Sequence, residues 1–362
     1  MLLVSQAVFG RQSQVQCSAC HNMADAIVID EVSMCQAPFL QQIHEKCLET
    51  SATSSVLPFA GKLVLLTGDK HQLPAVCTNC KDCESCMHQP YNWPMWKDFH
   101  ELVLSINHRQ NPADQLFINC LNTIRTDTPS PEHVALLNTR LVLAGFVPSK
   151  DAIIIAGTNA IVDEQNLLQL HRYYLDAQGG ICEYVALDAF KGSNRVTNAD
   201  KVKLYARLDN KSDLPAKLSV ALGAPVIITK NLSHIKHAKV VNGTTGNVLS
   251  FTDTHIEILL DNPQGNGQVV KIGKERDVVC CPGAMITRHM FPINLAFART
   301  AYKVQGRTIK TQLVVFADTL PKPGESYVAF SRVTSIENLI VVLHDPANIA
   351  VTAAMFKPHN PQ

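Results

Sequence analysis

The sequence has 362 residues, of which 46% are hydrophobic and 17% are charged, with a formal net charge of +1. This length predicts two or three domains of roughly 150 residues each, and the composition is that of a soluble chain with a sizeable core. Because the net charge is close to zero, any nucleic-acid-binding face has to be a local basic surface. No apolar stretch approaches the roughly 20 residues of a membrane-spanning helix.

The amino terminus, MLLV, is too short for a signal peptide and has no basic residue before its apolar stretch. We therefore expect an intracellular protein with no membrane partner. In that setting the twelve cysteines are expected to be free thiols or metal ligands and not disulfides.

Buried strands alternate with helical stretches along most of the chain. The apolar runs predict strands at 26–29, 63–66, 153–156, 313–316 and 339–343. Helix-period apolar residues predict helices at 38–48 and 162–174. Buried strands joined by helices indicate a parallel α/β sheet.

The pattern changes between about 220 and 290, where short β-rich pieces are separated by turn signals such as Asn242-Gly243 and Asn262-Pro263. This stretch predicts a small antiparallel barrel inserted into an α/β domain. The tail 357–362 is expected to be loose.

Two neighbouring acids end the first of these strands, in the string AIVIDEVSM at 26–34. A buried parallel strand delivers its last residues to the carboxyl edge of the sheet, where ligands bind in α/β folds. Asp30 can hold Mg²⁺, and Glu31 can orient or deprotonate an attacking water. By itself such a pair is also common in purely structural strands.

Polar residues with phosphate chemistry follow the next strands. Gln72, in LLTGDKHQLPAV at 65–76, can bond a γ-phosphate on one side and reach a DNA track on the other. Arg109, in SINHRQ, can meet a phosphate with two hydrogen bonds, although alone it would be an ordinary surface arginine. Arg332, in SYVAFSRVTSIENL, follows a strand-to-helix start and can act as an arginine finger.

A basic hairpin at 223–248 carries Lys230, Lys236 and Lys239, and its glycines allow close approach to a phosphodiester backbone. The alternative is a solvated basic loop.

These segments, in this order, resemble the petite-integration-frequency (Pif) family of superfamily-one DNA helicases, including its Helitron branch. The resemblance covers residues 24 to 344 and is carried by the strings IDEVSM, GDKHQLPAV, NHRQ, TNAIVDEQN, GAPVIITKNL with VVNGTTG, FPINLAFARTAYKVQG and YVAFSRVTS. It implies two RecA-like parallel-sheet domains, the first incomplete, with a small SH3-like β-barrel insert. We expect the first domain at 1–105, the second at 106–222 and 288–350, and the barrel at 223–287.

By the same resemblance the activity is ATP-driven 5′-to-3′ DNA unwinding, with ATP and Mg²⁺ as cofactors and single-stranded DNA and duplex junctions as partners. Asp30 would hold Mg²⁺, Glu31 would be the catalytic base and Gln72 would sense the γ-phosphate. Relatives act in DNA repair, recombination and telomere maintenance, in nuclei and mitochondria. The residues expected to face the triphosphate from the second domain are Arg109, Gly306 and Arg332.

The residues expected near the DNA track, or coupling it to ATP, are Lys230, Asn242, Gly243, Tyr302, Lys303 and Gln305. Two of the family's usual residues are replaced. Tyr302 stands where His or Asn is usual and can still stack on a base. Ala75 stands where a second proline is usual. We expect the acids, Gln72 and the two arginines to converge on one cleft between lobes.

The phosphate-cradling string GxxxxGK[ST] does not occur in the sequence. We therefore expect an amino-terminally truncated member that binds ATP poorly and unwinds nothing alone. A catalytically inactive DNA-binding remnant or scaffold stays open as the alternative.

Four cysteines, Cys77, Cys80, Cys83 and Cys86, follow the glutamine segment at three-residue intervals. They suit a metal, zinc before an iron–sulfur cluster, or they are free thiols on an exposed loop. A metal-clamped interaction protein built on them would explain too little of the chain.

Overall fold

A computed structural model describes residues 2–5, 24–51, 57–76, 87–142, 145–176, 179–192, 197–235, 238, 240–261, 267–281 and 283–360, with backbone alone for 2–5, 210 and 281. The chain divides into two compact units. Unit 1 is Met1–Val162 with Arg299–Gln362, and unit 2 is Asp163–Ala298. None of the described helices is long and apolar enough to span a bilayer.

The strands are β1 Leu2–Ser5, β2 Ala26–Asp30, β3 Leu63–Leu66, β4 Ile153–Ile155, β5 Cys182–Val185, β6 Leu187–Gly192, β7 Lys217–Val220, β8 Pro225–Ile228, β9 Thr245–Phe251, β10 His255–Leu260, β11 Val269–Gly273, β12 Glu275–Cys281, β13 Ala284–Met290, β14 Ile293–Leu295, β15 Ala298–Arg299, β16 Leu313–Phe316 and β17 Leu339–Val342. The α-helices are α1 Ala37–Thr50, α2 Gln115–Thr126, α3 Pro131–Asn138, α4 Asn159–Tyr174, α5 Asn198–Lys211, α6 Ala301–Val304 and α7 Glu325–Phe330.

The first sheet of unit 1 has the order β1-β2-β3, and its strands run parallel. Two β-branched residues of β2, Ile27 and Ile29, are buried against the apolar face of α1, which contributes Leu40 and Ile43. Because β2 and β3 are parallel and Ile29 pairs with Leu66, both strands end at the same edge of the sheet. That edge presents the residues that follow each strand.

The second sheet of unit 1 has the order β15-β4-β16-β17, with β4, β16 and β17 parallel. All four residues of β16 are buried, which fits a central strand covered on both faces. Helices α2, α6 and α7 supply core residues such as Phe117, Ala301 and Phe330. The two parallel sheets confirm the predicted α/β fold class.

Unit 2 contains antiparallel sheets, together with α5 and most of α4. Its sheets have the orders β11-β10-β9-β8-β14, β12-β13-β6 and β5-β7. The antiparallel pattern predicted for 220–290 is present, and the unit also takes in β6, which pairs with β13, and the β5-β7 pair. The domain limits 1–105, 106–222 with 288–350, and 223–287, and the SH3-like character of the insert, stay predictions.

The carboxyl-terminal tail is attached to unit 1, so the expectation of a loose tail is wrong for 357–360. The Gly324 amide donates to the Lys357 carbonyl at 2.8 Å. The His71 ring nitrogen Nδ1 lies 2.9 Å from the His359 carbonyl, and the Asn360 side-chain amide donates to the Thr126 carbonyl at 3.0 Å. The tail thus makes hydrogen bonds to three separate segments of unit 1. Sequence periodicity alone does not predict such long-range contacts.

Candidate nucleotide-hydrolysing site

Asp30 is the last residue of β2 and presents an exposed carboxylate at the sheet edge. The Thr67 hydroxyl, just past the end of β3, donates to Asp30 Oδ1 at 2.6 Å. The Glu31 amide donates to the same oxygen at 3.0 Å. These two bonds fix the carboxylate, and an exposed hard oxygen donor of this kind fits Mg²⁺, which takes one or two protein carboxylates at nucleotide sites.

Glu31 has a left-handed backbone, with φ +54° and ψ +45°. A residue with a side chain pays about 1–3 kcal/mol for such a conformation, and strain of this kind concentrates at functional sites. The next amide, that of Val32, donates to the Thr67 carbonyl at 2.9 Å and so ties the turn to the end of β3. The neighbouring strand therefore helps to impose the orientation of Glu31.

The Glu31 carboxylate is in contact with the segment that follows α6. The Gln305 side-chain amide donates to Glu31 Oε2 at 2.7 Å and to the Ser33 hydroxyl at 3.4 Å. Gly306 has φ +74°, and a Cβ there would lie 2.9 Å from Glu31 Oε1. The positive φ at 306 favours glycine for the turn, and the missing side chain leaves room for the carboxylate in its present position.

Gln72 lies in the loop after β3, in a turn in which its amide donates to the Asp69 carbonyl at 3.1 Å. Its side-chain nitrogen lies 3.5 Å from Asp69 Oδ2, and its side-chain oxygen is buried without a hydrogen-bond donor among the described residues. The Gln305 side-chain oxygen is also buried without a hydrogen-bond donor among the described residues. An unsatisfied buried acceptor costs about 1–3 kcal/mol, and the one on Gln305, whose amide nitrogen binds Glu31, is consistent with a functional site.

Asp69 is a site residue that sequence reasoning missed. Its carboxylate accepts two-pronged hydrogen bonds from Arg125 Nε at 3.2 Å and from a terminal Arg125 nitrogen at 2.9 Å. The Tyr327 hydroxyl donates to Asp69 Oδ2 at 3.3 Å. The string Gly68-Asp69 beside Gln72 was a signal for Asp69, but nothing in the sequence paired it with α2 or α7.

Arg109 contacts the segment that carries Arg332. Its Nε donates to the Thr308 hydroxyl at 3.1 Å, and a terminal nitrogen donates to the Ser331 carbonyl at 3.4 Å. The buried side chain of Gln110, which sequence reasoning also missed, donates to the Ser331 carbonyl at 3.0 Å and to the Val333 carbonyl at 2.7 Å. The NHRQ string therefore contacts the backbone on both sides of Arg332.

Arg332 itself is fully buried. Its guanidinium donates to the Val328 carbonyl at 2.8 Å and to the Ser331 hydroxyl at 2.7 Å, which are both uncharged acceptors. Burial lowers the pKa of Arg332 to about 10 with help from the nearby Arg109 charge, against the opposing effects of Tyr327, Glu31 and Asp69. Arg332 stays cationic at neutral pH, and two adjacent arginines form a local environment suited to an anion.

The DNA-track predictions divide between the units. In unit 1, Lys303 is exposed on α6 and the Lys322 ammonium lies 5.3 Å from the centre of the Tyr302 ring. In unit 2, Lys230 donates to Asp277 at 2.6 Å and so makes an ion pair that sequence reasoning did not foresee. Burial raises the pKa of Asp277, but the hydrogen bonds and charge of its partners outweigh burial and hold it below its usual value.

The other predicted residues of unit 2 form a turn. Gly243 has φ +91°, and its amide donates to the Ile228 carbonyl at 2.8 Å. The Asn242 amide donates to the Asn231 side-chain oxygen at 2.8 Å. The acids, Gln72, Gln305, Gly306 and the two arginines thus belong to unit 1, whereas Lys230, Asn242 and Gly243 belong to unit 2.

The cysteine prediction lies outside the described residues, since 77–86 are not among them, and Lys236 and Lys239 are likewise outside. In the part of the chain that the structure does describe, no cluster of three or more His, Cys, Asp or Glu side chains forms a metal site.

Comparison with known sequences agrees with the motifs. The model of a family described as PIF1-like helicase matches residues 8–128. The ATP-dependent DNA helicase PIF1 of Danio rerio is 26% identical over 326 residues, which is 88% of this chain and 46% of the relative. The ATP-dependent DNA helicase Pif1 of Bdellovibrio bacteriovorus is 26% identical over 329 residues, covering 90% of this chain and 68% of the relative. The chain spans about half the length of several curated relatives that it matches.

Solved structures have the same fold. Bacteroides Pif1 bound to single-stranded DNA superposes with a TM-score of 0.73 at 22% identity, covering 97% of this chain and 76% of that one. Pif1 helicase from Candida albicans superposes with a TM-score of 0.64 at 22% identity, covering 91% and 75%. The family match over residues 8–128, the relatives and the shared fold confirm the resemblance to Pif1-type helicases that the motifs predicted.

Proposed function

We propose that this chain forms the ATP-hydrolysing and DNA-tracking part of a Pif1-type DNA helicase that moves 5′ to 3′ on a single strand and opens duplex junctions. The observation that carries the proposal is the gathering of Glu31, Gln305 and Gly306 into direct contact at the end of β2. A carboxylate held at the carboxyl edge of a parallel sheet is suited to activating water for phosphoryl transfer.

Each group has a distinct proposed role. Asp30, fixed by the Thr67 hydroxyl, would hold the Mg²⁺ that neutralises phosphate charge. Glu31 would orient and deprotonate the attacking water, while Gln305 holds one of its oxygens. Gln72 would sense the terminal phosphate. Arg109 and Arg332 would stabilise negative charge that develops on the transferred group.

The proposed DNA partners rest on the resemblance and on the relatives. Bacteroides Pif1 has been solved bound to single-stranded DNA, and a second similar structure concerns DNA unwinding at forked double-stranded DNA by two coordinating Pif1 helicases. For this chain we propose single-stranded DNA and duplex junctions as partners. The residues proposed to face that DNA are Lys230, Asn242, Gly243, Tyr302, Lys303 and Gln305. The proposed settings are repair, recombination and telomere maintenance in nuclei or mitochondria.

A second candidate function is single-strand binding without turnover. The observation that favours it is the absence of a GxxxxGK[ST] string from the 362 residues. That loop supplies backbone amides and a lysine to the phosphates. By comparison with a single arginine finger, hydrolysis by these 362 residues without that loop should be lower by more than about 10³-fold.

Paired measurements on the 362-residue chain separate the two functions. Phosphate release from ATP is followed with single-stranded oligonucleotide present, for the parent protein, for Glu31→Gln and for the exposed-carboxylate control Glu45→Gln. Binding of a fluorescent oligonucleotide is titrated over a range of salt concentrations. ATP turnover that is abolished by Glu31→Gln but not by Glu45→Gln supports the helicase. Oligonucleotide binding without turnover supports the second candidate. The absence of both turnover and binding would contradict both candidates.

Zinc at Cys77, Cys80, Cys83 and Cys86 stays a proposal beside free thiols. Elemental analysis of the purified protein separates these alternatives, since one bound zinc per chain requires ligands and its absence leaves thiols.

A further inference from the structure

The Asp69 carboxylate joins three separate segments of unit 1. Arg125 binds it with two prongs from α2, and Tyr327 binds it from α7. The His71 amide, in the same loop as Gln72, donates to Asp69 Oδ1 at 3.0 Å. Only 16% of the Asp69 side chain is exposed, so these bonds replace most of its hydration.

The charge states suit a fixed hub. Burial raises the pKa of Asp69, but the Arg125 hydrogen bonds, the His71 amide and the Arg125 charge outweigh burial and bring the pKa below its usual value. Burial and the Asp69 charge raise the pKa of Tyr327 to about 12, so its hydroxyl keeps the proton that it donates. The ion pair and the donor are both present at neutral pH.

One short helix then connects this hub to Arg332. Helix α7 carries Tyr327, and the carbonyl of the next residue, Val328, accepts the Arg332 Nε hydrogen bond. At the start of the same helix, Gly324 has φ +77°, and a Cβ there would lie 3.0 Å from the Gln72 carbonyl oxygen. The Gln72 loop and the Arg332 guanidinium therefore share a single support.

We propose that Asp69, Arg125 and Tyr327 are positioning residues that hold the Gln72 loop and Arg332 in one fixed relation. A helicase of the proposed kind needs its phosphate-sensing glutamine and its arginine to be placed together, and this network does so through α7. The inference rests on the proposed function for the catalytic roles of Gln72 and Arg332. The placement itself can be measured without nucleotide.

The experiment uses the full chain and compares Arg125→Met, Arg125→Lys and Tyr327→Phe with the parent. Amide hydrogen exchange is followed in peptides covering 68–76 and 322–333, together with the thermal midpoint. Tyr184→Phe is the matched control, because it also removes one tyrosyl hydroxyl, which donates to the Thr252 carbonyl at 3.0 Å in unit 2. Steady-state ATP hydrolysis with single-stranded oligonucleotide gives kcat and KM for the same proteins.

Arg125→Met should speed exchange about tenfold in both peptides, because a hydrogen bond to a charged group contributes about that factor. Arg125→Lys keeps the positive charge but cannot make both guanidinium hydrogen bonds, so its exchange should be slower than that of Arg125→Met and faster than that of the parent. Tyr327→Phe should act in the same two peptides, and Tyr184→Phe in neither. Where hydrolysis is measurable, kcat should fall while KM for ATP is unchanged.

Two results would overturn the proposal. One is faster exchange in 68–76 with none in 322–333, which would separate the two groups that the network is proposed to join. The other is an equal rise across all of unit 1 that follows the thermal midpoint, which is the signature of general destabilisation. A parent protein without ATP turnover counts against the proposed function and leaves the exchange comparison intact.

Discussion

Replacing Gly324 by alanine tests the close approach of α7 to the Gln72 loop. An alanine at φ +77° costs about 1–2 kcal/mol for its left-handed backbone. Its Cβ would also lie 3.0 Å from the Gln72 carbonyl oxygen and 3.2 Å from the carbonyl carbon, which are backbone atoms with little freedom to move. Overpacking adds about 1–3 kcal/mol, so we expect a loss of about 2–5 kcal/mol in the free energy of unfolding.

The matched control is Gly145→Ala, also in unit 1. Gly145 has φ +94°, and no described atom lies within 4 Å of a Cβ there, so only the backbone term of about 1–2 kcal/mol applies. The two tryptophans of the chain, Trp93 and Trp96, both lie in unit 1, so tryptophan fluorescence in a urea titration reports on the unit that contains both glycines.

The difference between the two variants isolates the contact. If Gly324→Ala and Gly145→Ala lose equal free energy of unfolding, the approach to Gln72 is not as tight as described. Gly243 lies in unit 2, has φ +91°, and would place a Cβ with no described atom within 4 Å. Gly243→Ala should leave the tryptophan transition of unit 1 unchanged.

Three further predictions concern stability and association. Arg288→Met should destabilise unit 2 by about 3 kcal/mol in thermal circular dichroism, because it strands the carboxylate of Asp188, which Arg288 binds at 2.7 Å. The Asp69 pKa is depressed, so its stabilising contribution is present above the ordinary aspartate pKa and is lost as pH falls through the folded value. The urea midpoint of the parent should therefore drop below about pH 4, with a flatter profile in Asp69→Asn. Leu63 is 71% exposed on β3, at the edge of its described sheet. Leu63→Lys should change the free energy of unfolding by no more than about 0.5 kcal/mol and should reduce self-association in sedimentation velocity.

Local sequence patterns predicted the elements that place the acids. The β-branched run at 26–29 and the leucine run at 63–66 became β2 and β3, and parallel pairing then brought their ends together. Helix periodicity found α1 with each end one or two residues short, and it found α4 with the correct carboxyl end but a start three residues late. Asp30 ends the same short apolar segment that forms β2, so this one segment determines its place at the sheet edge. The local pattern was therefore sufficient to locate Asp30.

The features that the sequence did not predict are pairings between distant residues. Asp69 and Arg125 are 56 residues apart, and neither flanking string specifies the other. Lys230 looked like a free cation for a phosphate backbone, but Asp277 binds it across 47 residues. The burial of Arg332 likewise depends on packing around α7 and not on its own string. Long-range partners of this kind follow only from the assembled core.

Glu31 offers a test of whether the site holds strain, through a reversal of the ordinary order of two substitutions. Alanine is normally the more stabilising residue, because glycine loses more backbone entropy on folding. At φ +54° alanine keeps the left-handed cost and glycine does not. Both variants lose the same hydrogen bond from Gln305, so that loss cancels in the comparison. We therefore expect Glu31→Gly to exceed Glu31→Ala by about 1 kcal/mol in free energy of unfolding, measured by tryptophan fluorescence. If alanine is equal or better, the turn relaxes freely, and the orientation of Glu31 is not imposed by β2, Thr67 and the segment after α6.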